Sequence, residues 1–349
     1  PSTLMSAVKI VRTNTLVVLV AALVASVTTG CRSTGERLRP TPPISDRVTS
    51  TPDRPTAEAD PDSPPTPSPE PPKTGTPAPS REPSLRGIDF KQALAPGFHD
   101  DAGLFPNATR YRLDLDLDVK DANLSGDQEI SYTNTESVGL DSIYLRLFPN
   151  TSGYGGRMSV SSLEVDGRRV SPESTLEGSA LRVPLGTPLP PGGRVNLDLR
   201  FELALPTNSD PISSQEPSDG YRQLGLYDGV AALANGYPII PVYDDEGWNL
   251  ELAPSYGDAV YSDIAFFDVR LTAPSTMTVI ASGTCAPVGE EATTTTWACV
   301  AAPMRDLNVV AGGAYQIVRE EIEGVTVNSV HYAGHEEGGR AALDFASRA

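Results

Sequence analysis

The sequence is short of the residues and motifs that mark several common protein classes. Of its 349 residues, only three are cysteine and three are histidine. No two cysteines have the Cys-x-x-Cys spacing of a zinc site, and three are too few for a disulfide scaffold. Gly-x-Ser-x-Gly, a phosphate-binding loop and Gly-x-Gly-x-x-Gly are all missing. The sequence therefore gives no sign of a serine hydrolase of that type, a P-loop enzyme or a dinucleotide-binding enzyme.

Positive charge is also scarce. The chain has 27 Lys and Arg residues against 45 Asp and Glu residues, which gives a formal net charge of -18. Nucleic-acid binding requires basic patches, so this composition argues against a nucleic-acid partner. An acidic surface otherwise mainly favours solubility. The length suggests two or more structural units.

Long apolar runs are limited to one stretch near the beginning. Lys9 and Arg12 precede an apolar run from Leu16 to Val27. Its dozen or so residues match a signal-peptide core and fall short of the ~20 that span a membrane. Gly30 stands directly before Cys31, as in a bacterial lipoprotein signal, although Thr28 replaces the usual leucine. We predict that residues 1–31 are a signal peptide or lipoprotein anchor lipidated at Cys31. An uncleaved anchor helix and simple secretion are the alternatives.

The next part of the chain has the composition of a tether. Fifteen of the 33 prolines lie between Pro40 and Pro83, among Thr, Ser, Asp, Glu and Ala. Such a segment buries too little apolar surface to offset the entropy of ordering. Residues 32–88 are therefore predicted to be a disordered linker rich in Pro, Thr and Ser, extended by roughly 3.1 Å per residue where it forms polyproline II. An anchor followed by an extended linker and a globular domain predicts an extracytoplasmic, membrane-anchored protein of the cell envelope.

Beyond the linker, the chain has the pattern of β-strands. Tyr111–Lys120 and Arg194–Leu203 alternate strictly between apolar and polar residues, which is typical of strands with one buried face. Further predicted strands are Gln128–Thr133, Ile143–Phe148, Ser159–Val165, Ala265–Thr272, Met277–Ala281, Thr294–Val300, Leu307–Ala311, Tyr315–Arg319 and Val325–Tyr332. Short strands separated by turns predict a mostly β fold, an antiparallel sandwich or saddle spanning residues 100–332. The one helical pattern there, Gly339–Ala349, lies in residues 333–349, which we predict to be the start of a truncated catalytic domain.

Two cysteines fall on neighbouring predicted strands. Cys285 and Cys299 stand on the two strands of a predicted hairpin. In an exported protein, such a pair is expected to form a cross-strand disulfide. Two separate buried thiols are the alternative.

The sequence contains no convincing metal site. Asp114, Asp116 and Asp118 lack the glycine and the closing glutamate of a calcium loop, so they are interpreted as a solvated strand face. His331 and His335 resemble a zinc motif only in spacing, because the glutamate that accompanies the first histidine is missing. We assign no catalytic, cofactor-binding or metal-binding residue from these patterns.

One stretch, from Tyr237 to Ser262, stands out between the predicted strands, and we call it the central segment. It carries Tyr237, Tyr243, Trp248, Tyr256 and Tyr261 together with three adjacent carboxylates at 244–246. Two prolines, at 238 and 241, make a central strand unfavourable there. Ordered loops on a β scaffold often carry function. A well-packed connection without chemistry is the other interpretation.

Several pieces from Tyr111 onward resemble, in order, the N-terminal β domain of the aminopeptidase N-type zinc metallopeptidases, or gluzincins. The pieces that carry the resemblance are Tyr111–Val119, Gly126–Asn134, Ile143–Asn150, the Pro-x-aromatic-Asp turn Pro241–Asp244, Tyr256–Ser262, Phe267–Pro274, Ala281–Gly283 and Met304–Leu307. They extend over about two thirds of the chain.

The resemblance implies a β domain that packs on a thermolysin-like catalytic domain and walls its cleft. It implies zinc in the parent protein, held by His-Glu-x-x-His and a distant glutamate, and peptide substrates bound by the catalytic domain. None of these ligands occurs in this sequence, so no catalytic residue can be transferred to it. The family often has a Gln or Glu upstream of the Pro-x-aromatic-Asp turn, and none lies between Asp228 and Pro241.

Two functions follow from these observations. In the first, the chain is the N-terminal, non-catalytic part of a membrane-anchored zinc metallopeptidase and ends before the catalytic motif. In the second, it is a complete envelope lipoprotein whose β module binds or scaffolds and has no enzymatic activity. The apolar face of the terminal helical pattern, formed by Ala342, Leu343, Phe345 and Ala346, favours the first.

Overall fold

Most of the described chain consists of β-strands, so the mostly β fold predicted from the period-two patterns is confirmed. The computed structural model describes residues 15–19, 89–151, 153–207, 223–251 and 260–348. All of these residues belong to one compact unit.

Twenty strands are found in the described residues. The first ten are β1 (Thr15–Leu19), β2 (Thr109–Asp118), β3 (Asn123–Thr133), β4 (Leu140–Arg146), β5 (Arg157–Val165), β6 (Arg168–Arg169), β7 (Glu173–Thr175), β8 (Ala180–Leu189), β9 (Arg194–Ala204) and β10 (Leu224–Tyr227). The other ten are β11 (Val230–Leu233), β12 (Tyr243–Asp244), β13 (Gly247–Trp248), β14 (Ala265–Pro274), β15 (Met277–Ala281), β16 (Thr284–Glu290), β17 (Thr294–Met304), β18 (Val309–Gly313), β19 (Tyr315–Ile322) and β20 (Val325–Tyr332). Short 3₁₀ helices lie at Phe90–Ala93, Pro96–Gly103, Phe148–Asn150 and Leu176–Gly178, and the α-helix α1 is Glu336–Ser347.

The largest sheet contains eight strands in the order β16-β17-β14-β2-β3-β9-β5-β6. Its pairs are antiparallel except β2 with β14, which run parallel. Leu113, Leu197 and Val269 are completely buried on its inner face, as their alternation with polar neighbours dictates. Gly126 lies opposite Phe201, and a Cβ atom at Gly126 would approach that ring to 2.5 Å. The glycine therefore lets the phenylalanine ring lie flat across β3.

Three smaller sheets complete this part of the fold. They are the four-stranded β10-β11-β18-β15, the three-stranded β4-β8-β7 and the two-stranded β12-β13. Residues of the eight-, four- and three-stranded sheets join one continuous hydrophobic core, with Leu199, Ala231 and Val183 as examples. The core buries one face of each sheet, which is how two-layer β domains are stabilised.

Strand β8 is missing from the sequence-based prediction because it contains Pro184 and Pro188. Proline removes a backbone donor and is rarely found in a strand that is paired on both sides. Strand β7 pairs only with Ala180–Arg182 of β8, so the proline-containing half has one partner, β4. The backbone N–H groups that Pro184 and Pro188 lack are therefore not needed for pairing with a second strand.

The disulfide partners predicted from the sequence lie on the edge strand β16 and its neighbour β17. Cys285 is directly opposite Cys299 in the register, and a disulfide joins them with 4.1 Å between their Cα atoms. Strand β16 is otherwise mostly exposed. The bridge therefore ties an outer strand to a strand that belongs to the core.

The hairpin of β19 and β20 forms a separate sheet, with β1 paired parallel to β20. Helix α1 packs on this hairpin, and Gly339 lies so close to His331 that a Cβ atom would clash with the ring. Ala342, Leu343 and Ala346 are half-buried, whereas Phe345 remains 72% exposed. The predicted domain boundary between residues 332 and 333 stays a prediction.

Little of the predicted signal segment is described. Thr15–Leu19 form strand β1 where the sequence suggested a signal or anchor helix, and their valines favour extended backbone. The lipidation residue Cys31 and the linker 32–88 lie outside the described residues. Among the helices of the described residues, none combines the length and apolar character needed to cross a membrane.

Candidate functional site

The central segment enters the core and then returns to the surface. Tyr237, Ile239, Ile240 and Val242 are all buried. The chain then forms the hairpin β12–β13, in which Asp245 is exposed. Residues 252–259, including Tyr256, lie outside the described residues. The first half of the segment is therefore a buried connection, and the second half presents side chains at the surface.

Residues of distant strands hold the buried half in place. The Gln128 Nε2 atom donates to the Pro238 carbonyl oxygen at 2.8 Å. The backbone of Arg146 exchanges two hydrogen bonds with Ile239, at 2.7 and 3.1 Å. These bonds satisfy backbone groups that the prolines and the irregular path remove from any sheet. The path of the segment is thus set by specific partners.

Tyr111 supplies a further anchor. Its hydroxyl accepts a hydrogen bond from the Ile240 N–H at 3.1 Å. Its ring stacks on Phe267 with 5.1 Å between centroids and meets Tyr237 edge-on at 5.8 Å. A small hollow remains beside these rings, walled also by Tyr132, with a volume of about 10 Å³. That is room for about one water molecule and excludes a substrate.

Electrostatics around the hollow favour neutral hydroxyl groups. Burial raises the pKa of Tyr111, Tyr132 and Tyr237. These phenols therefore stay protonated at neutral pH. Asp263 lines the hollow too, and desolvation raises the pKa of its carboxyl group while Arg305 opposes the shift. The hollow contains hydrogen-bonding groups but no activated nucleophile.

The surface half of the segment is an aromatic cluster centred on Trp248. Its ring lies 5.2 Å from Tyr243, 6.0 Å from Tyr132 and 6.1 Å from Tyr144, measured between centroids. Tyr243, Tyr144 and Trp248 are each partly exposed. Aromatic surfaces of this kind contribute strongly to protein interfaces. The cluster is the part of the central segment best placed to contact another molecule or domain.

The three adjacent carboxylates have different roles. The Asp244 Oδ1 atom accepts a hydrogen bond from the Glu246 N–H at 3.0 Å, which closes the turn of the hairpin. Asp245 and Glu246 are exposed. The carboxylates therefore do not converge on a common substrate position.

Two later pieces of the resemblance meet near the end of the central segment. The Arg305 Nη1 atom donates to the Ser262 carbonyl oxygen at 3.0 Å, and the Ser262 hydroxyl donates to the Arg305 carbonyl oxygen at 2.6 Å. The Ser282 hydroxyl accepts from the Asn308 N–H at 3.1 Å. The Ser282 hydroxyl thus joins the loops after β15 and β17, and Ser262 and Arg305 line the hollow.

The outer face of the large sheet carries a shallow, open groove of about 560 Å³ lined by Asp114, Asp116 and Asp127. Asp127 pairs with Arg200 at 2.8 Å, and Asp114 pairs with Arg112 at 3.1 Å. The groove has the mixed charges of a solvated strand face.

Within the described ranges, no three His, Cys, Asp or Glu side chains come together in a way that could hold a metal ion. The two histidines of the zinc-like spacing have separate places in the fold. The His331 Nδ1 atom lies 3.0 Å from the Tyr332 carbonyl oxygen at the end of β20, and His335 is the residue directly before α1. The zinc that the resemblance implies for the parent protein therefore does not fit the residues described.

The central segment is visible in the sequence, but its anchors are not. Gln128 lies in a predicted strand, at an inward position of β3 between Leu124 and Ile130. A glutamine on an otherwise apolar strand face is a sequence signal for a buried side-chain hydrogen bond. Arg146 gave none, because β4 is buried on both faces and shows no alternation.

Comparisons with known proteins add the following. No protein-family model matches the sequence, and no curated protein is similar to it. Among solved structures, an M1 zinc metallopeptidase from Deinococcus radiodurans is similar at 22% identity, with a TM-score of 0.45 over 65% of this chain. A mutant of that enzyme bound to a Tyr-Ser-Ala substrate is similar at 23% identity, with a TM-score of 0.43. The chain covers 48% of each of these structures, so it spans about half their length.

Proposed function

We propose that the chain is the N-terminal, non-catalytic part of a membrane-anchored, extracytoplasmic zinc metallopeptidase of the aminopeptidase type. Its β domain packs on a catalytic domain and walls the cleft in which peptides are bound. The sequence resemblance supports this proposal, because its pieces follow one another in order from the opening hairpin to the loop after β17. Membrane attachment, with lipidation at Cys31, is part of the same proposal.

The observation that carries the proposal is the construction of the central segment. The Pro-x-aromatic-Asp turn, Pro241–Asp244, leaves the core at a point fixed by Gln128, Arg146 and Tyr111. It then presents Tyr243 and Trp248, partly exposed, at the surface. A wall that contacts substrate or a second domain needs this combination of rigid support and exposed aromatic surface.

The role of these residues is positional. Tyr243 and Trp248 would exclude water from the edge of the cleft and limit which side chains fit there. Peptide-bond hydrolysis itself would belong to a domain carrying the zinc ligands, since no metal-binding group is formed by the residues described.

The first experiment is to sequence the coding DNA beyond the codon for Ala349. A continuation that encodes His-Glu-x-x-His and a later glutamate is the expected result. A stop codon there would instead support an envelope lipoprotein with a β module for binding or scaffolding.

An activity assay then tests whether hydrolysis requires the residues that follow this chain in the longer protein. The 349-residue chain is expected to hydrolyse no aminoacyl anilide, whereas the longer protein should do so in a zinc-dependent manner. In the longer protein, Trp248→Ala should raise KM, and the exposed Val288→Ala should leave KM unchanged. Urea denaturation of both variants separates this effect from a loss of stability, because Trp248 also packs against the core. Zinc-dependent hydrolysis by the 349-residue chain alone would contradict the proposal.

Lipidation has a separate test. Mass spectrometry of the protein extracted from membranes should show a diacylglyceryl-modified Cys31 at the new N-terminus. An unmodified peptide containing Ser26 and Cys31 would contradict this part of the proposal.

A further inference from the structure

Strand β20 has two neighbours that are held in different ways. On one side, β19 pairs with it antiparallel and is joined to it by a short turn. On the other side, β1 pairs with it parallel over five residue pairs, from Thr15 opposite Thr326 to Leu19 opposite Val330. The turn keeps β19 in place, whereas β1 comes from the opposite end of the chain. The outer edge of β20 is therefore covered by a segment that no short connection holds there.

The edge that β1 covers lacks the features by which edge strands avoid pairing with other chains. Such features are charged residues, proline, a bulge or a very short strand. Residues 326–330 are Thr, Val, Asn, Ser and Val. The register between β19 and β20 runs without a bulge. This edge of β20 can therefore accept a strand along its length.

Other edges in the described part of the chain do have such features. Strand β19 carries Arg319, Glu320 and Glu321. In the eight-stranded sheet, the edge strand β16 contains Pro287 with a shift of register beside it, and the edge strand β6 has only two residues. The outer edge of β20 differs from these edges in being suited to bind a strand.

The sequence of β1 shows what kind of strand fits. Thr-Leu-Val-Val-Leu is uncharged, and its threonine and valines favour extended backbone. When a strand is added to a sheet, main-chain hydrogen bonds supply the affinity, and side chains at alternate positions add selectivity. The partner that matches this edge is therefore an extended segment of about five uncharged, mostly apolar residues that runs parallel to β20.

The covering strand also belongs to the part of the chain that processing would remove. Strand β1 lies within residues 1–31, the predicted signal segment, whereas β20 follows the linker. Cleavage before Cys31 would take β1 away and leave the outer edge of β20 uncovered. Uncovered edges of uncharged strands pair with other chains.

We propose that the outer edge of β20 is a strand-acceptor site. Strand β1 occupies it while residues 1–31 are attached, and an extended, uncharged apolar segment of another protein occupies it after their removal. The acceptor site follows from the pairing and the composition of the edge, whereas its uncovering rests on the cleavage before Cys31 that is part of the proposed function.

The test uses the 349-residue chain with residues 1–31 retained, which mass spectrometry verifies. Val17→Pro and Val18→Pro are introduced together, because alternate residues of an edge strand bond to its neighbour and one of the two prolines then removes a bonded N–H. Hydrogen exchange at residues 326–330 should accelerate by at least about tenfold, while unchanged protection in β2 and β9 shows that the domain is folded. Ser33→Pro with Thr34→Pro, in the predicted linker, is the matched control and should leave exchange in β20 unchanged.

A labelled peptide then identifies the partner. The probe is Thr-Leu-Val-Val-Leu with two lysines added at each end for solubility, and the same peptide with proline in place of its first valine is the control. The double-proline variant should bind the probe and regain protection at residues 326–330. The unsubstituted chain should bind the probe at least about tenfold more weakly, because β1 occupies the edge.

Unchanged exchange at residues 326–330 in the double-proline variant would overturn the proposal, as would equal binding of the proline-containing peptide. A variant that binds no probe would overturn it too, and sedimentation as a dimer would then assign the edge to a second copy of this chain. These measurements involve neither zinc, peptide hydrolysis nor lipidation. A failure here is therefore distinguishable from a failure of the proposed function.

Discussion

The eight-stranded sheet and the central segment lie against the same hydrophobic core but are held in different ways. The sheet is held by ladders of backbone hydrogen bonds, which almost any residue can make. The buried half of the central segment is held by single bonds from the side chains of Gln128 and Tyr111, together with one backbone pair between Arg146 and Ile239. A single substitution should therefore loosen the segment locally, whereas the sheet should fail only through its core or its edge.

The largest effect is expected in the core of the sheet. Phe201 is completely buried against Gly126, so Phe201→Ala should leave a cavity and destabilise the protein by about 3–5 kcal/mol. Urea denaturation measures the change. Glu202→Ala, exposed on the same strand, is the control and should change stability by less than about 0.5 kcal/mol. Similar effects of the two substitutions would contradict the packing described here.

The edge of the sheet should be nearly as sensitive. Cys285 and Cys299 are separated by 14 positions, and a loop of that size predicts a loss of about 3 kcal/mol when both become alanine. Thermal unfolding with and without reductant tests this, because only the unsubstituted chain should respond to the reductant. Val288→Ala on the same exposed strand controls for changes in side-chain packing. If the reductant leaves the Tm of the unsubstituted chain unchanged, the disulfide does not stabilise strand β16.

Tyr111→Phe removes the acceptor of the Ile240 N–H without changing the ring packing. A buried donor left unpaired should cost about 2 kcal/mol. Hydrogen exchange should accelerate at Ile240 more than in β2 itself. Tyr144→Phe, which alters a partly exposed hydroxyl, is the control. Uniform acceleration throughout the sheet would contradict the separation of the two regions.

Gln128→Met should lower the free energy of unfolding by a smaller amount, about 1 kcal/mol. The substitution loses the bond to the Pro238 carbonyl oxygen, but it also removes the buried Oε1 atom, which has no partner among the described residues. Faster proteolysis within residues 243–251 is the expected local signature. The exposed Gln316→Met is the matched control, and equal proteolysis of the two variants would argue against Gln128 as an anchor.

The smallest effect concerns pH. Burial raises the pKa of Asp268, although Arg112 lies 4.0 Å away and opposes the shift. Because the folded state holds this proton more tightly than the unfolded state, the contribution of Asp268 to stability falls as the pH rises above about 4. Asp268→Asn should therefore gain stability relative to the unsubstituted chain as the pH rises towards about 7. Urea denaturation at several pH values checks this, with the exposed Asp116→Asn as control, and a difference independent of pH would refute it.

The sequence predicted those elements whose pattern is local. Strands β2 and β9 follow directly from alternation, and β15 and β20 have the predicted bounds. The pattern of α1 was visible too, although the helix begins three residues earlier than the predicted Gly339. Strand β8 escaped because local propensity penalises its prolines, and only its pairing with one neighbour makes them tolerable.

The candidate site was only half predictable. The aromatic and acidic residues of the central segment were visible in the sequence, because composition alone marks them. The roles of Gln128, Arg146 and Tyr111 were not, because a polar residue in a strand does not reveal which distant backbone group it will meet.

The sequence by itself determined that this part of the protein is mostly β, which residues of its alternating strands face the core, and where the irregular segment lies. The tertiary structure decided the parallel pairing of β2 with β14 and the path of the central segment. The deciding hydrogen bonds join residues 110 and 129 positions apart. Alternation arises from neighbouring residues in the chain, whereas contacts at such separations form only when the sheets pack on a common core.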